Sequence, residues 1–220
     1  AANFTYFSAS TGGTFASNVL TPNGTGTQYW RMAVDWSGTV KQLNNGGTTD
    51  VTVSPGVKYT LNGNCTNSGA FMVNVASASN RYVFKTKDAG TTPTGDWVFF
   101  ELGANPVTVS TVSTTATAVF SGMTPVINAT LSGALPSGQG VYIRYSTDNF
   151  STSTVAAMSG SGTSYSATLP GYAIGTTVTY YVLTSGSGLT IPHALADLYT
   201  LNLNTNGGSN YSYTVAGYGS

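Results

Sequence analysis

Nowhere does a stretch longer than about ten residues repeat its apolar side chains every 3.6 positions, as an amphipathic helix requires. Alternation with period two recurs instead. Clusters of Gly, Asn, Pro and Ser interrupt it at intervals of roughly 8–15 residues, the pattern of short half-buried strands joined by turns. The first half predicts strands over 4–8, 28–36, 51–53, 58–62, 70–76, 81–87 and 97–102. Explicit turn signals lie between them, at Pro22-Asn23-Gly24, Asn44-Asn45-Gly46-Gly47, Ser54-Pro55-Gly56 and Thr92-Pro93-Thr94-Gly95. Residues 191–198 are the exception and read as a single helical turn with Pro192 near its first position.

Charge narrows the function classes. Of 220 residues only 7 are Lys or Arg and 7 are Asp or Glu, so 6% are charged and the formal net charge is zero. Disordered chains pair low hydrophobicity with high net charge, whereas this one is 40% apolar with mean hydropathy +0.04. Nucleic-acid binding needs a basic surface, which a chain with pI near 6.8 does not offer. No run approaches the roughly 18 apolar residues of a spanning helix, so membrane insertion is not expected. The polarity comes from Ser, Thr and Asn, which favour turns and exposed strand faces. A neutral surface also lacks the repulsion that keeps copies apart, which makes self-association an expectation. The lone Cys65 cannot close an internal disulfide. The opening Ala1-Ala2-Asn3, without an initiator Met, is that expected of a mature product after signal removal, and hence of a secreted, extracellular or cell-surface protein.

Composition shifts near Gly103-Ala104-Asn105-Pro106: all three Trp and eleven of the fourteen charged residues precede it. The second part predicts strands over 107–117, 126–132, 140–146, 163–169, 176–184, 199–204 and 210–215, the number and spacing of an immunoglobulin-like or fibronectin-like sandwich. The expected fold class is therefore all-β, with two tandem β-sandwich domains at 1–105 and 106–220.

Three segments carry a resemblance. They are Tyr142-Ile143-Arg144-Tyr145-Ser146-Thr147-Asp148-Asn149-Phe150, then Gly175-Thr176-Thr177-Val178-Thr179-Tyr180-Tyr181-Val182, and Asn206-Gly207-Gly208-Ser209-Asn210-Tyr211-Ser212-Tyr213-Thr214-Val215. Over residues 107–215 the chain resembles immunoglobulin- or fibronectin-like modules of secreted multidomain proteins of Bacteroidota-type bacteria, found beside carbohydrate-active enzymes or in surface adhesins. The resemblance implies a sandwich and export. It implies no single function, because such modules act as spacers, binders and assembly units alike.

Catalytic constellations are sparse, and no enzyme activity is expected. Glycoside hydrolysis uses two carboxylates across a cleft, and Asp96 and Glu101 are wrongly spaced to share a strand face. The only histidine, His193, follows Pro192 in a predicted loop, and no Gly-x-Ser-x-Gly elbow accompanies it, so a surface or loop-packing role is expected. One Cys and one His do not make a zinc site. No cofactor is expected. Calcium is the one ion with plausible ligands, at Asp88, Asp96 and neighbouring carbonyls.

Aromatic placement points further. Period two puts Trp30, Met32, Val34 and Trp36 on one strand face, read as core, with Tyr29 on the other. In Asp96-Trp97-Val98-Phe99-Phe100-Glu101-Leu102 both faces are apolar, so one needs a cover. Arg81, Lys85 and Lys87 read as a solvated face opposite Tyr82 and Phe84. Tyr211 and Tyr213 share a face that, if exposed, suits a stacked interface. The leading expectation is an extracellular structural or adhesive subunit of a filament, layer or coat, whose partners are copies of itself or other surface proteins. Its candidate assembly strands carry Phe4 and Tyr6, or Tyr211 and Tyr213, and would add to a neighbour's sheet edge. The alternative is a carbohydrate-binding module of a secreted polysaccharide-active enzyme, with polysaccharide as partner. Its candidate sugar or interface platform is Trp97, Phe99, Trp36 and Tyr29.

Overall fold

A computed structural model of the chain describes residues 4–6, 8–9, 13–30, 32–36, 39–43, 51–60, 71–87 and 96–219. It is all-β, with several antiparallel sheets. The chain separates after Asn105 into two compact units, residues 1–105 together with Asp197–Tyr199, and residues 106–196 together with 200–220. Among the described residues no helix is long and apolar enough to cross a membrane.

The first unit contains β1 (Phe4–Tyr6), β2 (Ser8–Ala9), β3 (Gly13–Ala16), β4 (Val19–Pro22), β5 (Gly26–Trp30) and β6 (Met32–Trp36). It continues with β7 (Thr39–Leu43), β8 (Val51–Thr52), β9 (Tyr59–Thr60), β10 (Phe71–Val75), β11 (Arg81–Lys87) and β12 (Asp96–Leu102). The main sheet runs β3-β4-β11-β12-β9, with β1 also on β11, and two three-stranded sheets run β5-β10-β8 and β2-β6-β7. The core lies between the first two of these. Trp30, Phe71 and Val73 from one meet Leu20, Tyr82, Phe84, Trp97 and Phe99 from the other. Trp30 meets Tyr82 edge-on at 4.8 Å, and Phe84 stacks on Phe99 at 5.2 Å. Each such ring contributes about 1.5–3 kcal/mol by leaving water.

Two expectations are corrected in this unit. The single strand predicted over 28–36 is two strands in different sheets: β5 pairs with β10, while β6 pairs with β2 and β7. Alternation continues unbroken through 28–36 and so carries no mark of the switch. The face of β11 read as solvated is buried at Val83 and Lys85, while Arg81 at its start is partly exposed and the side chain of Lys87 lies outside the described residues. Register places Arg81 opposite Leu102, Val83 opposite Phe100 and Lys85 opposite Val98, and Lys85 is only 1% exposed. Tyr199 supplies part of the cover that the second face of β12 needs. Its ring packs edge-on to Phe100 at 6.2 Å, and its hydroxyl donates to the Gly56 carbonyl at 3.1 Å.

The second unit contains β13 (Val109–Thr114), β14 (Val126–Leu131), β15 (Gln139–Ser146), β16 (Thr154–Ala157), β17 (Ser159–Ser161), β18 (Ser164–Thr168), β19 (Thr177–Gly186), β20 (Asn202–Asn204) and β21 (Tyr211–Thr214). One sheet runs β13-β14-β18-β17, and the other β16-β15-β19-β20 with β21 also on β19. In β14 strict alternation sends Ile127, Ala129 and Leu131 inward against Val141, Ile143, Val178 and Val182 of the second sheet. The strand pair β16 and β17 passes from one sheet to the other at buried Met158, whose N–H donates to the Val141 carbonyl at 2.8 Å. The helical turn expected over 191–198 is a 3-10 turn at His193–Leu195 preceded by Pro192.

Burial lowers the Lys85 ammonium from its ordinary 10.5 to about 7, with Asp197 opposing part of that shift. Between those values the unfolded chain holds a proton that the folded one does not, so stability rises with pH from about 7 to 10.5. A gap of this size corresponds to at most about 4–5 kcal/mol. Lys85→Met removes this rise, and denaturant titrations at pH 6.5 and 10 then show a smaller difference than in the parent.

Candidate functional site

Arg144 lies on β15, opposite Val155 of β16 on one side and Tyr181 of β19 on the other. Its guanidinium is buried, and each of its three nitrogens has a partner. Nε donates to Ser153 Oγ at 2.8 Å, Nη1 donates to the Tyr181 hydroxyl at 2.9 Å, and Nη2 lies 3.3 Å from His193 Nδ1. The Phe150 ring sits 5.2 Å from its central carbon and the Tyr181 ring 5.9 Å, both in cation–π range.

The loop joining β15 to β16 is shaped to deliver those groups. Asp148 accepts from Thr152 through both carboxylate oxygens, N–H at 2.9 Å and Oγ1 at 2.6 Å, and from Ser146 Oγ at 2.7 Å. Ser146 Oγ in turn accepts the N–H groups of Asp148 and Phe150. Bonds from Thr152, then Ser146, favour the carboxylate and hold the Asp148 carboxyl down to about 2. The backbone is left-handed at Asn149 (φ 55°) and Phe150 (φ 64°). For a residue as large as Phe this costs on the order of 1–2 kcal/mol, offset here by the ring's place over Arg144 and against Tyr181 at 5.5 Å.

His193 enters from the 3-10 turn. Its Nδ1 lies 2.6 Å from Ser153 Oγ. Arginine has only donors, so Nδ1 is an acceptor, the Ser153 hydroxyl donates to it, and the ring proton sits on Nε2. A serine hydrogen-bonded to histidine is the beginning of a nucleophile–base pair. Here the serine oxygen is already engaged by Arg144 Nε–H, and among the described residues no hydrogen bond orients His193 Nε2. The arrangement acts as a clamp in which one cation gathers Tyr181, Ser153, His193 and Phe150, fastening the β15–β16 loop and the 3-10 turn to the outer face of β15 and β19.

The aromatic residues singled out by sequence lie elsewhere. Trp97 and Phe99 are 3% and 0% exposed and belong to the first unit's core, so they form no platform. Register explains this: Trp97 stands opposite Thr86 and Phe99 opposite Phe84, on the face turned toward Phe71. Tyr29, on β5, is 50% exposed. The side chains of Trp36, Phe4 and Tyr6 lie outside the described residues; the backbone of β1 pairs within its own chain, Phe4 with Lys87 and Tyr6 with Lys85. Tyr211 and Tyr213 do not form an exposed pair. They turn inward, half-buried, and both pack on Tyr180. The Tyr213 hydroxyl is pushed up to about 12 by burial and by neighbouring Tyr172, Tyr180 and Tyr145. Ser212 and Thr214 face solvent instead.

Of the calcium candidates, Asp88 lies outside the described residues, and Asp96 is ion-paired with Lys58 at 3.0 Å. Among the described residues no group of three or more His, Cys, Asp and Glu is placed to hold a metal. Glu101 accepts the Tyr82 hydroxyl at 2.6 Å. Cys65 also lies outside the described residues.

The clamp left no local mark in the sequence. Arg144 is 9 positions from Ser153, 37 from Tyr181 and 49 from His193. The one available signal was a lone arginine flanked by alternating apolar residues in an almost uncharged half. Replacing Arg144 by Met strips donors from three partners and is expected to cost the second unit about 2–4 kcal/mol in denaturant unfolding. Arg144→Lys recovers little of this, since an ammonium cannot reproduce the planar fork. Asp148→Asn leaves the loop cleavable by protease at neutral pH. In the parent the carboxylate's contribution is complete above about 3.8 and fades toward about 2.

No family model, no curated protein and no solved structure matches this chain.

Proposed function

We propose that the chain is a self-associating structural or adhesive subunit of an extracellular filament, layer or surface coat, with copies joined by strand addition. Its second unit is read as an immunoglobulin- or fibronectin-like module of exported multidomain proteins. The strand order supports that module type. One sheet corresponds to A-B-E-D, and the other to C′-C-F-G with the last strand in two pieces.

The observation that carries the proposal is the character of the sheet edges. Proteins that stay apart protect edge strands with Lys, Pro, inward charges or bulges. The strands β16 (Thr-Val-Ala-Ala), β17 (Ser-Gly-Ser) and β21 (Tyr-Ser-Tyr-Thr) carry neither charge nor proline. The only Lys, Arg, Asp or Glu residues of this unit are Arg144, which is buried, and Asp148, which is folded into its loop. A neighbour's strand therefore meets unguarded backbone groups and neutral hydroxyls, without electrostatic repulsion. The carbohydrate reading has less behind it, because Trp97 and Phe99 are core residues and Tyr29 stands without the platform they would have formed.

Light scattering with negative-stain imaging tests the proposal. The parent is expected to form regular polymers, and Thr154→Lys or Thr214→Lys, each placing a cation on an exposed edge position, is expected to stop them. Deleting residues 1–8 asks separately whether β1 is the joint. A monomer of 22.6 kDa persisting at high concentration would overturn the proposal.

A further inference from the structure

After β19 the chain leaves its sheet, and residues 187–196 lie against the outer face of β15 and β19. Three fastenings hold this segment. The Tyr142 hydroxyl, which donates to the Gly186 carbonyl at 2.6 Å, accepts the Leu189 N–H at 3.1 Å. Ile191 and Ala196 are buried. Between them His193 Nδ1 meets Ser153 Oγ at 2.6 Å and Arg144 Nη2 at 3.3 Å. Imidazole is the ordinary side chain whose charge changes in mild acid, so the third fastening differs in kind from the others.

Nδ1 makes that contact as an acceptor. The Ser153 hydroxyl donates to it, and the guanidinium presents a second N–H to the same lone pair. Nε2 already holds the ring proton, so a further proton has only Nδ1 to go to, and protonation turns the acceptor into a donor. Ser153 Oγ already takes the Arg144 Nε–H at 2.8 Å, and its own proton loses its acceptor. Arg144 has no acceptor to offer. Two N–H groups then face each other across 3.3 Å, with a positive charge on either side. The other titratable groups around the ring are already engaged. From β19 the Tyr181 hydroxyl accepts from Arg144 Nη1 at 2.9 Å. In the β15–β16 loop the Asp148 carboxylate is bound by Thr152 and Ser146. Asp197, further along the histidine's own segment, acts on Lys85 of β11.

We propose that His193 is an acid-sensitive latch: protonation of Nδ1 breaks its contact with Ser153 and Arg144 and frees residues 187–196 from the outer face of β15 and β19. His193 and Ser153 are both partly exposed, so the proton arrives from solvent without prior opening. What opens is apolar. Ile191 and Ala196 enter water when the segment lifts, which opposes opening while the ring is neutral. The latch goes beyond the self-association proposed above and holds whether or not copies join.

Two measurements on the full chain at low concentration test it. His193 is the only histidine, so its ring gives one set of nitrogen NMR signals, which report its charge. Amide hydrogen exchange read by peptide mass reports opening of residues 187–196. The parent is expected to show an unprotonated Nδ1 at pH 7.5 and a protonated one at pH 5. Exchange over 187–196, corrected for its intrinsic pH dependence, is expected to be at least tenfold faster at pH 5, with β14 unchanged. His193→Asn, whose amide oxygen takes the place of Nδ1 and stays neutral, is expected to lose this rise. Lys85→Met removes the other group that titrates near neutral pH and is expected to keep it. Equal corrected exchange in the parent at both values, a ring still neutral at pH 5, a rise that persists in His193→Asn, or one that Lys85→Met abolishes would each overturn the latch. If His193→Asn is open at both values, the parent decides: exchange that tracks the charge on the ring supports the latch, and exchange that does not overturns it.

Discussion

Eight consecutive residue pairs, from Gln139 with Gly186 to Ser146 with Thr179, tie β15 to β19, and this register places almost everything else in the second unit. Alternate residues of β15 go to opposite faces. Val141 and Ile143 enter the core, while Arg144 goes to the outer face, where Tyr181 stands directly opposite. A slip of one position would drive the guanidinium into a hydrocarbon interior and put Ile143 in its place. The register is thus held by two penalties at once, desolvation of a cation and exposure of a branched alkyl chain. The clamp is a consequence of that choice. Once Arg144 stands on the outer face, Tyr181 lies within reach by pairing, and the β15–β16 loop and the 3-10 turn bring the remaining partners over it.

A chain with so few charges must satisfy its polar groups with neutral partners. In the second unit amide side chains close gaps that backbone ladders leave. Buried Gln139 accepts the Val107 N–H and donates to the Val107 carbonyl, both at 3.0 Å, in the manner of one more strand residue. Asn202 donates to the Val107 carbonyl and Asn204 to the Val109 carbonyl, each at 3.2 Å, so β20 reaches across to the outer edge of β13 without pairing with it. The edge next to β13 is therefore covered by side chains, whereas the edges at β16, β17 and β21 present plain backbone. Neutrality and edge protection prove to be one problem here, solved on one side of the sandwich and left open on the other.

The strand content was legible where alternation is strong. The stretches at β10, β11, β12, β14, β15 and β19 alternate or are continuously apolar, and the structure has strands there. Weakly apolar strands carry no such pattern. Ser159–Ser161 is a strand because Gly160 lets it approach β18, where any Cβ would collide with the Ser164 carbonyl. The β3–β4 hairpin turns through Ser17 and Asn18 at positive φ, 51° and 65°, a two-residue turn without the usual Asn-Gly signature. Alternation fixes which residues share a face but not which face turns inward. Both faces of β12 are apolar in sequence, but only the register that sets Lys85 opposite Val98 shows that this lysine lies on a covered face. Tyr211 and Tyr213 share a face, as spacing requires, yet only the register with Tyr180 and Val178 decides that this face is the inner one. The Arg144 assembly depends on the β15–β16 loop and the 3-10 turn closing together over two paired strands, which no local pattern encodes.

The close of the second unit has a mechanical meaning. The segment around Ala216 runs parallel to that around Phe120, joined by Ala216 N–H to Val119 O and Ser121 N–H to Ala216 O. Tension between residue 106 and the chain's last residues would draw these two parallel segments in opposite directions along their lengths. Bonds loaded that way resist together as a lap joint does, whereas hairpin bonds pulled from their open end give way one after another. The short parallel bridge, minor in any count of sheet hydrogen bonds, thus stands where a pulled chain would carry its load.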